Sequence, residues 1–143
     1  MFTETDAIDV ARKFHENAGL SAEIFGSVAR SGTGRDIDLI VIVDEGTFQA
    51  FVSDVRRRNE GRNAFDVYGK TRQRFFAADE ATNGMIGDVV FSNLRGIVRR
   101  HDNLDIFLFP ENWRHRLDEI QRALPNRDPN FMKNIARDAR KVI

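Results

Sequence analysis

The residues of this chain with the clearest capacity for chemistry lie between Ile24 and Val43. Asp36 and Asp38 open the run Asp-Ile-Asp-Leu-Ile-Val-Ile-Val, which is dense in β-branched residues and reads as a strand. Residues two apart on a strand point to one face, so the two carboxylates share its mouth, roughly 6–7 Å apart by the strand repeat. Beyond Asp38 both faces are apolar, with Ile40 and Ile42 on one and Val41 and Val43 on the other. Such a strand is buried on both sides except at its start. Like charges this close repel, and a hard divalent cation with oxygen ligands relieves the repulsion. The plainer alternative is a solvated strand start in which Asp36 closes a turn.

A sheet is needed to position these acids. Leu20 to Phe25 is a short, mostly apolar run that stops abruptly at Gly26-Ser27 and reads as a preceding strand. The nine residues from Val28 to Asp36 include Ser31, Gly32, Thr33 and Gly34, which is turn chemistry. Nine residues are too few for a usual parallel crossover. The two strands are therefore expected to be antiparallel, with the Gly-Ser turn and the Asp pair at one end. A third strand is expected over Leu104 to Phe109, closed by Pro110, with Asp105 as its second residue. The long connection before it allows a parallel crossover, which would bring Asp105 to the same end; alternatively Asp105 pairs with Arg99 or Arg100. One rim would then collect a Gly-Ser turn, a loop of small residues and the carboxylates of Asp36, Asp38 and Asp105. A rim of this kind can hold two divalent metals, with backbone N–H groups near a triphosphate.

The rest of the chain reads mainly as helix. Thr3 or Thr5 can cap a first helix carrying Ala7, Ile8, Ala11 and Phe14, with Gly19 as its stop. Phe48, Phe51, Val52 and Val55 form a stripe that runs into Arg56-Arg57-Arg58, charges that suit a helix C-terminus. Further helical stretches are expected over Arg72 to Ala81 and from Met85 to Val98. After the third strand, Trp113, Leu117, Ile120 and Leu124 predict a helix ending before Pro125. Asp128-Pro129 reads as an N-cap with Pro at the first helical position, ahead of Phe131, Met132, Ile135, Ala136 and Ala139. The order α-β-β-α-α-α-β-α-α predicts an α+β or mixed α/β fold: a small mixed sheet of at least three strands packed with helices. The 143 residues fit one domain, with C-terminal helices from about residue 111. Three strands leave little sheet for two further helices, so their apolar stripes are expected to dock a protein partner or a second copy, the alternative being that both pack on their own sheet.

Composition narrows the chemistry. With no cysteine, thiolate metal sites, thiol nucleophiles and disulfides are excluded. Lys plus Arg equals Asp plus Glu at 22 each, so net charge gives no indication of a nucleic-acid partner. The longest apolar run, Leu39 to Val43, is far short of a membrane span, and the first residues lack the basic and apolar regions of a signal peptide. A cytoplasmic location is the expectation. His15, His101 and His115 lack metal-ligand spacing. Gly69-Lys70-Thr71 imitates the end of a P-loop, but the first glycine position holds Ala64 and the loop is bulky Phe-Asp-Val-Tyr. The many Phe residues, with one Tyr and one Trp, point to core filling.

Gly26-Ser27, Ala29-Arg30 and Asp36-Ile37-Asp38 resemble the G-S-x-A-R…D-x-D signature of the DNA polymerase β-like nucleotidyltransferases, and most closely the small minimal nucleotidyltransferases. The resemblance covers about residues 20–44, and more loosely 104–109. It implies a nucleotidyltransferase fold and a metal-dependent transfer of a nucleoside monophosphate from an NTP, ATP first among them, to a hydroxyl with release of pyrophosphate. By the same resemblance Asp36, Asp38 and Asp105 are the catalytic, metal-binding carboxylates for two Mg²⁺ ions, or Mn²⁺, and Gly26 and Ser27 hold nucleotide phosphates. Arg30 and Arg35 flank that site and can neutralise phosphate, or else are solvated loop charges. The chain departs from the signature at Ser31, where the family usually has Gly, in its short loop before Asp36, and in the long interval between Asp38 and Asp105. A non-catalytic, antitoxin-like binding module with a vestigial site is the alternative.

Asp66 competes with Asp105 for the third position, since Phe65-Asp66-Val67 has the same hydrophobic frame. The run after Asp66 breaks at Gly69-Lys70, whereas Ile-Phe-Leu-Phe after Asp105 is long enough to cross a sheet. Asp105→Asn should abolish transfer and largely spare NTP binding, while Asp66→Asn should leave transfer nearly intact. A transfer assay that gives the reverse order would unseat Asp105.

Overall fold

The computed structural model describes residues 1–58, 104–124 and 128–143. A short strand β1 (Phe2–Thr3) leads into helix α1 (Glu4–Ala18). Thr3 is the cap: its hydroxyl accepts from the Asp6 N–H at 3.3 Å, and the Asp6 carboxylate accepts from the Thr3 N–H at 2.9 Å. The chain continues through β2 (Ala22–Phe25), α2 (Gly26–Ser31), β3 (Thr33–Gly34), β4 (Ile37–Val43) and α3 (Glu45–Arg58). After residue 103 come β5 (Leu104–Pro110), a 3₁₀ turn (Trp113–His115), α4 (Leu117–Ala123), α5 (Phe131–Asp138) and β6 (Arg140–Lys141).

The main sheet has the order β5-β4-β2-β6, and β1 pairs with β3 in a separate two-stranded sheet. β2 is antiparallel to β4, as the short connection implies, and β4 is parallel to β5, as the long connection allows. This is a small mixed α/β fold with a multistranded sheet packed against helices. Leu39, Ile40 and Val41 are consecutive and fully buried, so both faces of β4 are covered. α1 contributes Ala7, Val10, Ala11 and Phe14 to the same core. α3 lays its stripe along β5, with Phe48 edge-on to Phe109 at 6.2 Å between ring centroids.

Several expectations need correction. Residues 26–31 form a helix, where a turn and loop were expected. Val28 packs into the core, and the Ser31 hydroxyl donates to the Ser27 carbonyl at 2.9 Å, so one helical turn survives among small polar residues. The helix expected from Trp113 splits into the 3₁₀ turn and α4. Asp128 does not cap α5; its carboxylate accepts from the Asn130 N–H at 2.9 Å and closes the turn that precedes the helix. β6 was not expected, because Arg140 and Lys141 carry no apolar signal; they join the sheet by backbone pairing to Glu23 and Ile24. The expected helices over 72–81 and 85–98 lie outside the described residues.

The C-terminal stripes pack largely within this chain. Trp113, Ile120, Leu124, Met132 and Ile135 are all buried within this chain. α5 packs against β2 and α2, and α4 packs against α5. Leu117, Phe131 and Ala139 of the same stripes pack against the core and stay partly exposed. No helix among the described residues is long and apolar enough to cross a membrane.

Trp113 also anchors a buried acid. Glu23 on β2 is 5% exposed and accepts from the indole Nε1–H at 3.0 Å and from Arg114 Nη1 at 3.1 Å. Trp113→Phe removes one donor to a buried carboxylate and should destabilise the fold by about 1–3 kcal/mol. Urea denaturation measures this, and an unchanged midpoint would mean that the indole bond contributes nothing.

Candidate functional site

The site begins where β2 ends. Gly26 follows Phe25 with φ of 73°, a left-handed conformation that turns the chain straight into α2. Phe25 pairs with Asp38 across the sheet, so the turn lies against the start of β4. A Cβ on Gly26 would fall 2.2 Å from Asp38 Oδ2. Both the turn and the close approach therefore exclude any larger residue, and the Asp38 carboxylate rests on the Gly26 backbone.

The next neighbour is on β5. The parallel register aligns Asp38 with Asp105, and adjacent strands lie about 4.8 Å apart. Asp38 is 6% exposed and Asp105 3%. Asp36 precedes β4 and is partly open. A cavity of about 370 Å³ brings together Gly26, Ser27, Arg30, Arg35, Asp36 and Asp38. All of the residues singled out from the sequence thus line one cavity except Asp105. That residue stands beside Asp38 but is not part of the lining.

The opposite wall comes from α5. Phe131, Asn134, Ile135 and Asp138 face the cavity at the i, i+3, i+4, i+7 spacing of a single helix stripe. Arg30 reaches across from α2, and its Nη1 donates to Asp138 Oδ2 at 2.9 Å. Arg137 Nε donates to Asp138 Oδ1, also at 2.9 Å. Arg137 first, and Arg30 after it, hold the Asp138 carboxyl below its ordinary range against the opposing effect of burial. Asn134 and Asp138 are functional candidates that escape a reading of the sequence focused on the apolar stripe. The signal available was two polar residues, at i+3 and i+7, inside an otherwise apolar face.

His15 and His115 are not among the residues that line the cavity. His15 and His115 are exposed, as expected for boundary histidines. His101, Asp66, the Gly69-Lys70-Thr71 segment, Arg99 and Arg100 lie outside the described residues. A second cavity of about 350 Å³ lies at the far end of β2, where its Glu23 and Arg114 are already paired with each other.

The donor chemistry of the lining suits a hard cation, because Asp36 and Asp38 offer only oxygen. Among the described residues no group of three or more His, Cys, Asp or Glu side chains is gathered to hold a metal ion. Mg²⁺ does not need such a cage: it is commonly bound by one or two carboxylates together with substrate phosphates and water. Two acids in a cavity that also carries arginines match that mode. No family model, no curated protein and no solved structure matches this chain.

The glycine turn yields a test. Gly32 also has a left-handed φ, 83°, but a Cβ there meets nothing within 4 Å. Gly32→Ala should destabilise by about 1–2 kcal/mol through backbone strain alone. Gly26→Ala adds the clash with Asp38 and should be distinctly worse. Equal losses in denaturant titrations would mean that Asp38 does not rest on Gly26.

Proposed function

We propose that this protein is a metal-dependent nucleotidyltransferase of the DNA polymerase β-like type, moving a nucleoside monophosphate from an NTP to a hydroxyl acceptor. The observation that carries the proposal is the convergence of Gly26, Ser27, Arg30, Arg35, Asp36 and Asp38 on one cavity, with Asp105 in register beside Asp38. Gly26, Ser27, Arg30, Asp36 and Asp38 belong to the G-S-x-A-R…D-x-D pattern, and β4 pairs antiparallel with β2 and parallel with β5.

On this proposal Asp36 and Asp38 would hold Mg²⁺, for which Mn²⁺ can substitute. The cation would supply positive charge to the phosphates and to the developing charge of the transition state. Ser27 and the backbone at Gly26 bind phosphate oxygens, and Arg35 adds charge-assisted hydrogen bonds. Arg30 is held by Asp138 and contributes positive charge from that position. The acceptor oxygen bonds to the α-phosphorus, the bond from that phosphorus to the bridging oxygen breaks, and pyrophosphate leaves. The hydroxyl proton passes to a carboxylate, and Asp105 is assigned that role. The protein's contribution is positioning and charge stabilisation.

The Arg30–Asp138 pair favours a second reading, because it already neutralises one cation of the cavity. A binding module with a vestigial site would keep this architecture and need not bind Mg²⁺-NTP.

Calorimetry with each NTP separates the two. Binding should require Mg²⁺ or Mn²⁺ and vanish with EDTA. Asp38→Asn should keep the fold and weaken Mg²⁺-NTP binding by more than about tenfold. Mass analysis of partner proteins should then show a nucleoside monophosphate adduct. Equal NTP affinity with and without EDTA would overturn the metal site, and unchanged binding in Asp38→Asn would favour the vestigial module.

A further inference from the structure

Gly34 is a glycine that its own backbone does not explain. Gly26 and Gly32 have left-handed φ angles of 73° and 83°, whereas Gly34 is not among the glycines of positive φ. It is buried on β3, between Ser27 and Asp36 in the chain. What it lacks is space. A Cβ there would fall 2.5 Å from Ser27 Oγ, 3.1 Å from Val28 Cγ2 and 3.3 Å from the Asp36 carbonyl oxygen. Val28 is locked in the core, and the Asp36 carbonyl is backbone, so neither can move far. The Ser27 hydroxyl can move, by turning about χ1 into another staggered position. Ser27 is partly open and lines the cavity beside Gly26, Arg35 and Asp36.

We infer that Gly34 is a positioning residue for the phosphate subsite: by carrying no side chain it keeps open the rotamer in which the Ser27 hydroxyl stands. The inference rests on the proposed function and deepens it, because the hydroxyl that would bind phosphate is set by a residue outside the G-S-x-A-R…D-x-D pattern. A methyl group at position 34 would leave the fold largely in place and turn that hydroxyl away.

Gly34 is itself held from two sides. Phe2 pairs with Gly34 and Thr3 with Thr33, antiparallel, and the Glu4 N–H donates to the Gly32 carbonyl at 3.2 Å. The N-terminal strand therefore grips the loop at the point where Thr3 also caps α1. From the other side the Ser31 hydroxyl donates to the Ser27 carbonyl at 2.9 Å and lies 3.4 Å from the Thr33 carbonyl. Ser31, one of the departures from the signature, thus ties the start of α2 to β3. A hydroxyl set by a loop so held is preorganised, and little ordering is lost on binding.

The test is a double-mutant cycle on Ser27 and Gly34, read by calorimetry with Mg²⁺ and inorganic tripolyphosphate and by urea denaturation. Ser27→Ala should weaken binding about tenfold, as loss of one hydrogen bond to a charged group does. Gly34→Ala should weaken it by about the same factor. In the Ser27→Ala background Gly34→Ala should have no further effect on binding, because the hydroxyl it displaces is gone. A merely structural role would weaken binding in both backgrounds. Gly32→Ala, whose added Cβ meets nothing, is the control for lost stability and should leave tripolyphosphate binding unchanged. Wild-type binding by Gly34→Ala or by Ser27→Ala would overturn the inference and leave the nucleotidyltransferase reading standing. So would a loss that persists in the Ser27→Ala background, or an equal loss in Gly32→Ala. If Gly34→Ala does not fold, Ser27→Ala should restore the fold by removing the nearest clash. A double variant that stays unfolded would put the obstruction at Val28 or Asp36 and overturn the inference. Failure of wild type to bind either tripolyphosphate or any Mg²⁺-NTP would overturn both.

Discussion

Two nearly buried carboxylates on adjacent parallel strands constrain everything else in this fold. Asp38 and Asp105 occupy paired positions of β4 and β5, where like charges are destabilising. Such an arrangement persists only when the surrounding structure over-determines it. The apolar strand that follows Asp38 provides that: Leu39, Ile40 and Val41 are fully buried, and burial of each such side chain stabilises by about 1.5–3 kcal/mol. Slipping β4 by one residue to separate the acids would turn its side chains to the opposite faces. The acids are therefore held together by the core behind them, and a local rule broken at such a place marks function more than architecture.

The same constraint explains how distant parts of the chain meet. Asp38 needs a neighbour without a side chain, and the left-handed Gly26 provides it at the one point where β2 must turn into α2. α2 then carries Arg30 toward the C-terminal helix, where it meets Asp138 more than a hundred residues later in sequence. Arg30 is half-exposed in this pair while the Asp138 side chain is nearly buried. The pair closes a cavity whose two walls come from opposite ends of the chain, and its importance lies in geometry.

Much of this was legible in the sequence, for identifiable reasons. The strand from residue 37 to 43 announces itself by β-branched density, and a nine-residue connection forces the antiparallel pairing that puts Gly26 and Asp38 together. The parallel placement of Asp105 is one that the length of the connection before it allows. What was hidden had weak local signals. α2 is a single turn among serines and glycines, whose intrinsic preference is for loops. β6 is two charged residues that pair only through their backbone, so periodicity is silent about it. The burial of Ile120 and Met132 comes with packing of α4 on α5 and of α5 on β2, pairings that an apolar stripe alone does not specify. Asn134 and Asp138 drew no attention in the sequence because the wall that makes them cavity residues is far away along the chain.

Zero net charge takes on a different meaning at the site. The balance of 22 against 22 gives no field over the whole molecule to steer a polyanion. Within the cavity, however, charge is separated by role. Asp36 and Asp38 stand at the mouth of β4, and Arg30 and Arg35 lie toward α2 and the loop before the strand. A bare triphosphate would meet the arginines but be repelled by the two aspartates. A bare divalent cation would meet the aspartates but find only two of its oxygen ligands, with positive charge nearby. A metal–triphosphate complex satisfies both halves at once, each component neutralising the group that repels the other. On the proposed function, discrimination therefore arises from mixed charge at short range, where the low local dielectric strengthens each contact, and it requires no overall charge at all.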